Sequence, residues 1–210
     1  MSFLNKIYEF LEDKNQAIFR LSMFLLFIGI LTAAISPSEK IIGKALALVY
    51  LHVGFFIGAL VLLFLTFLTA FLLPKEKARS ILTGSFYTTG GIAWFAYFLL
   101  SAVVAVLSWG GIYWQEPRMI IAVRVIFLFL LAQALNHFLE KKYQDVIFGL
   151  AAFSSILIWL FRFSILHPRA PIRESNSLSI KLFALVSIIS TALSILMLAA
   201  ALAGRDLKND

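Results

Sequence analysis

The stretch ALALVYLHVGFFIGALVLLFLTFLTAFLL, residues 45–73, decides the fold. It contains no Asp, Glu, Lys or Arg, and His52 is its only basic group. About 20 consecutive apolar residues suffice to carry a helix across the hydrocarbon core of a bilayer. Lipid offers no hydrogen-bond partners, so such a segment must satisfy its own backbone, which an α-helix does. Five further runs of the same kind lie at 17–35, 81–108, 119–138, 146–166 and 178–202. The expected fold is therefore all-α, a polytopic six-transmembrane-helix bundle forming one integral membrane domain over residues 1–210.

Composition points the same way. Of the 210 residues 61% are hydrophobic and 14% charged, and the mean hydropathy is +0.95. A water-soluble domain of this length has no way to hide so much apolar surface. Residues 1–16 read differently. Phe3, Leu4, Ile7, Tyr8 and Leu11 recur at helical spacing while Lys6, Glu9, Asp13 and Lys14 lie elsewhere, as in an amphipathic interfacial segment. The charged stretch is too long and too acidic for a signal peptide.

An even number of spans puts both termini on one side. Ten of the 18 Lys and Arg fall on that side and eight on the other. This bias favours cytoplasmic N- and C-termini in the plasma (cytoplasmic) membrane. The outer side then carries the connections 36–44, 109–118 and 167–177. The net charge of +7 resides mostly in short loops, where it serves topology and lipid headgroups, so no nucleic-acid partner is expected.

There is no Cys, which excludes disulfides, thiolate metal sites and covalent haem attachment by this chain. Imidazole chemistry is confined to His52, His137 and His167. His52 lies about two turns inside the second span and His167 closes the fifth, so both fall in the outer half of the membrane. Two imidazoles can supply both axial positions of a haem iron. Each taken singly also suits a hydrogen-bonded interior or interfacial histidine. His137 lies at the inner end of the fourth span with no partner, and reads as an interfacial residue.

The outer loop Trp109-Gly-Gly-Ile-Tyr-Trp-Gln-Glu-Pro-Arg118 adds aromatic rings beside glycine at the membrane surface. Such rings can form a flat apolar shelf for a porphyrin, or an ordinary aromatic belt. Arg118, Arg169 and Arg173 lie in outer loops where they can pair with haem propionates or lipid headgroups. Arg124 and Arg162 lie inside spans, where a cavity or snorkelling must accommodate them. Gly54-Phe-Phe-Ile-Gly58 is a GxxxG, read as close helix packing, the alternative being that Gly54 makes room for a ligand beside His52. No nucleotide-binding, zinc-protease or Ser-His-Asp motif is present.

Tyr50-Leu51-His52-Val53 at the outer end of a second span resembles the Tyr-Leu-His-Val segment of the cytochrome c maturation protein C (CcmC) family, CcsA-like haem-handling membrane proteins. That family's outer loop reads roughly Trp-Gly-x-x-Trp-x-Trp-Asp-(Pro/Ala)-Arg. Here Trp109-Gly110, Tyr113 and Gln115-Glu116-Pro117-Arg118 stand at the same spacing, and Leu166-His167 resembles the Leu-His that ends the family's fifth span. Tyr113 and Gln115 replace tryptophans, Glu116 replaces an aspartate, and Gly54 replaces a common proline. The resemblance covers about residues 20–200. It implies that His52 and His167 are the axial iron ligands. It implies that the loop of Trp109, Tyr113, Trp114 and Glu116 cups the porphyrin, with Arg118 on a propionate. The role it implies is not enzymatic: non-covalent, transient binding of haem b at the outer face. The haem would pass to a membrane-anchored haem chaperone with help from ABC-transporter subunits of cytochrome c maturation. The absence of a second intramembrane His pair favours this haem-delivery branch. Two other readings compete with it: a single-haem b-type membrane-anchor subunit passing electrons to quinone, and a small transporter without haem.

Overall fold

Segments too apolar for water and too long for a buried core become membrane helices, and the structure is built from these. The computed structural model describes residues 3–40, 42–74, 76–161, 172 and 175–209. In chain order the helices are α1 (Phe3–Ala34), α2 (Leu46–Leu72), α3 (Glu76–Trp109), α4 (Pro117–Phe138), α5 (Gln144–Leu160) and α6 (Leu178–Asn209), with a 3-10 turn at Lys141–Tyr143 before α5. All six, the fifth counted together with its 3-10 turn as Lys141–Leu160, are long and apolar enough to cross a membrane. Among the described residues there is no β-strand, only an isolated bridge between Glu39 and Gly43. The protein is an all-α membrane protein. Its outward faces carry large apolar side chains, with Phe27 59%, Ile92 61% and Phe127 64% exposed, a surface that lipid can cover and water cannot.

The inward faces are held by small residues and hydroxyls. Ser22 Oγ on α1 donates to the Ser194 carbonyl of α6 at 2.9 Å, and Ser187 Oγ of α6 donates to the Gly29 carbonyl of α1 at 2.8 Å. A β-carbon at Gly204 of α6 would run into the Leu11 carbonyl of α1. As the position along α1 rises, its partner on α6 falls by nearly the same step, so the two helices run antiparallel in constant register. Backbones can approach this closely only where side chains are small. The GxxxG of α2 serves the same end. A β-carbon at Gly54 would lie 2.6 Å from Thr191 Cβ, and one at Gly58 3.0 Å from Ile195 Cδ1, both on α6. Gly54 thus makes room for a helix rather than for a ligand beside His52.

The middle of the bundle is aromatic. Tyr87 stacks on Phe148 at 4.4 Å between ring centroids. Trp94 is 1% exposed, and its indole N–H donates to the Ala122 carbonyl at 3.2 Å, which satisfies the one polar group its burial would strand. At the end of the bundle that carries α1's start and α6's finish, Arg79 Nε donates to Asp145 Oδ2 at 2.7 Å. There Gln144 Nε2 donates to the Ser80 carbonyl at 3.1 Å, tying the start of α3 to the start of α5.

The boundaries differ from the expected ones in instructive places. From residue 3 onward the expected interfacial segment and the first span form one unbroken helix, α1 (Phe3–Ala34), in which Leu11 still packs on Gly204 of α6. The third span begins at Glu76, ahead of the expected 81, and the sixth runs on to Asn209, beyond the expected 202. The fifth, expected over 146–166, is helical from Gln144 to Leu160; residues 162–171 lie outside the described residues.

Candidate functional site

Two residues separated by one position point about 200° apart on a helix, and α2 uses this at Tyr50 and His52. Tyr50 is fully buried, and its hydroxyl donates to the Ile180 carbonyl of α6 at 3.2 Å. That fixes the rotation of α2, and His52 turns the other way, towards α3. Its Nδ1 lies 3.3 Å from the Leu48 carbonyl one turn back. In the tautomer that donates this bond, the lone pair resides on Nε2, the form in which imidazole binds a metal. The ring packs at 5.9 Å from that of Tyr97.

Gly110, at φ +76°, ends α3 in the left-handed conformation that glycine adopts without strain. The chain then folds back over the helix end, and Tyr113 Oη donates to the Trp109 carbonyl at 3.4 Å. Pro117 opens α4 at its first turn, where its missing N–H costs nothing. The Glu116 carbonyl accepts from Met119 N–H at 2.9 Å and Ile120 N–H at 3.1 Å. This arrangement brings Glu116 and Arg118 under the loop.

The result is a cavity of about 360 Å³ between α2, α3, the loop and the start of α4, within the roughly 300–1,000 Å³ typical of small-ligand sites. His52, Trp109, Tyr113, Glu116 and Arg118 all line it. Trp114 does not; it is 60% exposed. His167, Arg162, Arg169 and Arg173 lie outside the described residues. Arg124 is exposed on α4 and His137 is exposed at the far end of the same helix, where its ring meets Phe138 at 5.3 Å. Neither belongs to the cavity.

Sequence reasoning passed over Tyr97, Ser101 and Met119, which also line it. A helical signal was there to read: positions 97, 101, 105 and 109 form one face of α3, and three of the four carry a hydroxyl or an indole. Beneath the cavity Tyr97 and Phe56 pack at 5.2 Å, and Phe56 meets Trp94 and Trp159 each at 5.7 Å. The floor is an aromatic cluster.

Two buried polar atoms at this site, Glu116 Oε1 and Arg118 Nε, have no hydrogen-bond partner among the described residues. Leaving such groups unpaired is costly unless a ligand completes them. Burial pushes the Glu116 carboxyl above the usual carboxylate range; the Arg118 charge and the Met119 and Arg118 backbone N–H groups pull it partly back. A neutral carboxyl is a donor as well as an acceptor. The site therefore offers one imidazole, one guanidinium, one carboxyl held above its usual range and two aromatic walls. That set suits a mostly apolar ligand that carries an acidic group and can accept an imidazole.

The raised Glu116 carboxyl has a consequence for stability. The folded state holds this proton more tightly than the unfolded one. The stabilisation is complete below the unfolded carboxylate value of about 4.3 and is lost as pH rises through the folded value. The detergent-solubilised protein is expected to melt progressively lower than Glu116→Gln as pH climbs through that window, and level with it at the acidic end. Parallel curves at every pH would contradict the burial of this carboxyl.

No protein family model matches the sequence, and no curated protein matches it.

Proposed function

We propose that this protein is a haem-handling assembly factor of the cytochrome c maturation protein C type. On this reading it holds haem b non-covalently and transiently, as cargo rather than as a resident catalyst, and acts as a binding and transfer protein, not an enzyme. The observation that carries the reading is the convergence of His52, from one helix, with Trp109, Tyr113, Glu116 and Arg118, from sixty residues further on, around one cavity.

Each residue has work suited to it. His52 supplies an imidazole lone pair to iron, with its other nitrogen oriented by the Leu48 carbonyl. Trp109 and Tyr113 cover apolar ring surface. Arg118 pairs with a propionate, as a guanidinium does best. Glu116, whose proton burial holds more tightly than usual, can in its neutral form donate a hydrogen bond to the same acidic group. His167 is the expected second ligand and lies outside the described residues. The excess of Lys and Arg at the terminal end supports an orientation with both termini cytoplasmic and the cavity at the outer face. The acceptor would be a membrane-anchored haem chaperone, with ABC-transporter subunits as further partners.

The test is genetic and spectroscopic together. Deleting the gene is expected to abolish haem-stained c-type cytochromes while membrane b-type cytochromes persist, and wild type purified from haem-replete cells is expected to show a b-type spectrum. Intact c-type cytochromes in the deletion strain would refute the delivery role; colourless but functional protein would refute haem binding altogether.

A further inference from the structure

A second cavity, of about 630 Å³, opens at the other end of the bundle, among α3, the 3-10 turn, the start of α5 and the end of α6. Its rim carries Lys77, Lys141 and Arg205. Arg205 is paired with Asp206 at 3.1 Å. Among the described residues no carboxylate pairs with Lys77 or Lys141. Two cations therefore face the groove uncompensated, beside the hydroxyl of Ser80 and the amide of Gln144. Oxyanions such as phosphates are bound by this combination of charge and neutral donors.

The groove is too deep for a headgroup alone. Its wall on α3 runs from Lys77 to Ile92, fifteen residues, or about 22 Å at 1.5 Å per residue. The hydrocarbon half-thickness of a bilayer is about 15 Å, so the wall passes from the charged surface well into the apolar layer. Along that descent the lining changes from lysine to Ser85 and Thr88 and then to Ile92, which is 61% exposed. An occupant with a phosphate at one end and a hydrocarbon tail at the other matches the whole length. A free phosphate matches only the rim.

We propose that this groove seats an anionic phospholipid, its phosphodiester held by Lys77 and Lys141 and one acyl chain lying along α3. The site is separate from the cavity around His52, and the proposal does not depend on haem.

The full-length protein, reconstituted in nanodiscs of equal parts phosphatidylcholine and phosphatidylglycerol and transferred to mild detergent, is read by native mass spectrometry for retained lipid. Wild type is expected to retain phosphatidylglycerol over phosphatidylcholine by roughly fivefold per contributing lysine. Lys77→Ala/Lys141→Ala should equalise the two lipids. Ser85→Phe, which fills the middle of the groove below the lysines and leaves both of them, should also cut phosphatidylglycerol retention. Melting temperature checks the fold of each variant. Lys141→Ala alone, on the exposed 3-10 turn, should lower the preference about fivefold and serves if the double variant does not fold. Equal retention of both lipids by wild type would overturn the proposal. So would displacement of all phosphatidylglycerol by inorganic phosphate together with unchanged retention in Ser85→Phe, since that pattern describes a soluble-anion site.

Discussion

If the protein handles haem as proposed, His52→Ala is expected to abolish the b-type absorbance of the purified protein, with haem affinity falling by more than the roughly 10–100-fold that loss of a metal ligand's supporting partner costs. The size of the effect follows from position. His52 is half-buried, oriented by the Leu48 carbonyl, and is the only imidazole among the described residues that lines the cavity. Adding imidazole to the buffer is expected to restore part of the absorbance, because the alanine leaves a hole where a free ring can bind iron. His137→Ala, at the far end of α4, should change nothing. A His52→Ala protein that retains wild-type haem would show that this histidine only packs against Tyr97. Arg118→Ala tests the other end of the ligand: it should weaken binding while preserving the spectrum of whatever haem remains.

The second large effect is structural. Gly204→Leu is expected to lower stability by about 3 kcal/mol, the upper part of the range for forcing volume into a packed interior. A side chain there meets the backbone carbonyl of Leu11, which cannot rotate away as a side-chain tip can. The helices must separate, and the Ser22 and Ser187 hydrogen bonds across the same seam would lengthen with them. Gly111→Ala is the control: nothing lies within 4 Å of a β-carbon at Gly111, so it should stay within about 0.5 kcal/mol of wild type. Denaturation in mixed micelles measures both. A Gly204→Leu variant as stable as wild type would contradict the α1–α6 seam.

The sequence carried the spans well because an apolar run the thickness of a bilayer has few other uses. It carried helix ends poorly. Glu9, Asp13 and Lys14 look like the polar face of a surface-lying helix until Leu11 is seen against Gly204, and nothing local announces a partner two hundred residues away. The GxxxG of α2 read correctly as packing, although only the structure shows that α6 is what it packs on. At the site, Trp109, Tyr113, Glu116 and Arg118 were legible because aromatic and charged residues stand out in a short loop. Tyr97 and Ser101 were not, since their hydroxyls are diluted in an apolar span and matter only through the helix face they share. That Trp114 stands outside the cavity was not legible for the opposite reason: a conspicuous residue in an irregular loop has no periodicity to say which way it turns.

The antiparallel seam between α1 and α6 bears on how the chain is made. α1 is made well before α6, with Ser22 and the Gly29 carbonyl lacking the partners that α6 later brings. Those partners emerge only after the four intervening helices have been made, so closure of the α1–α6 seam is a late, long-range event. Until then the polar groups of α1 that face the seam are open to misdirected pairing.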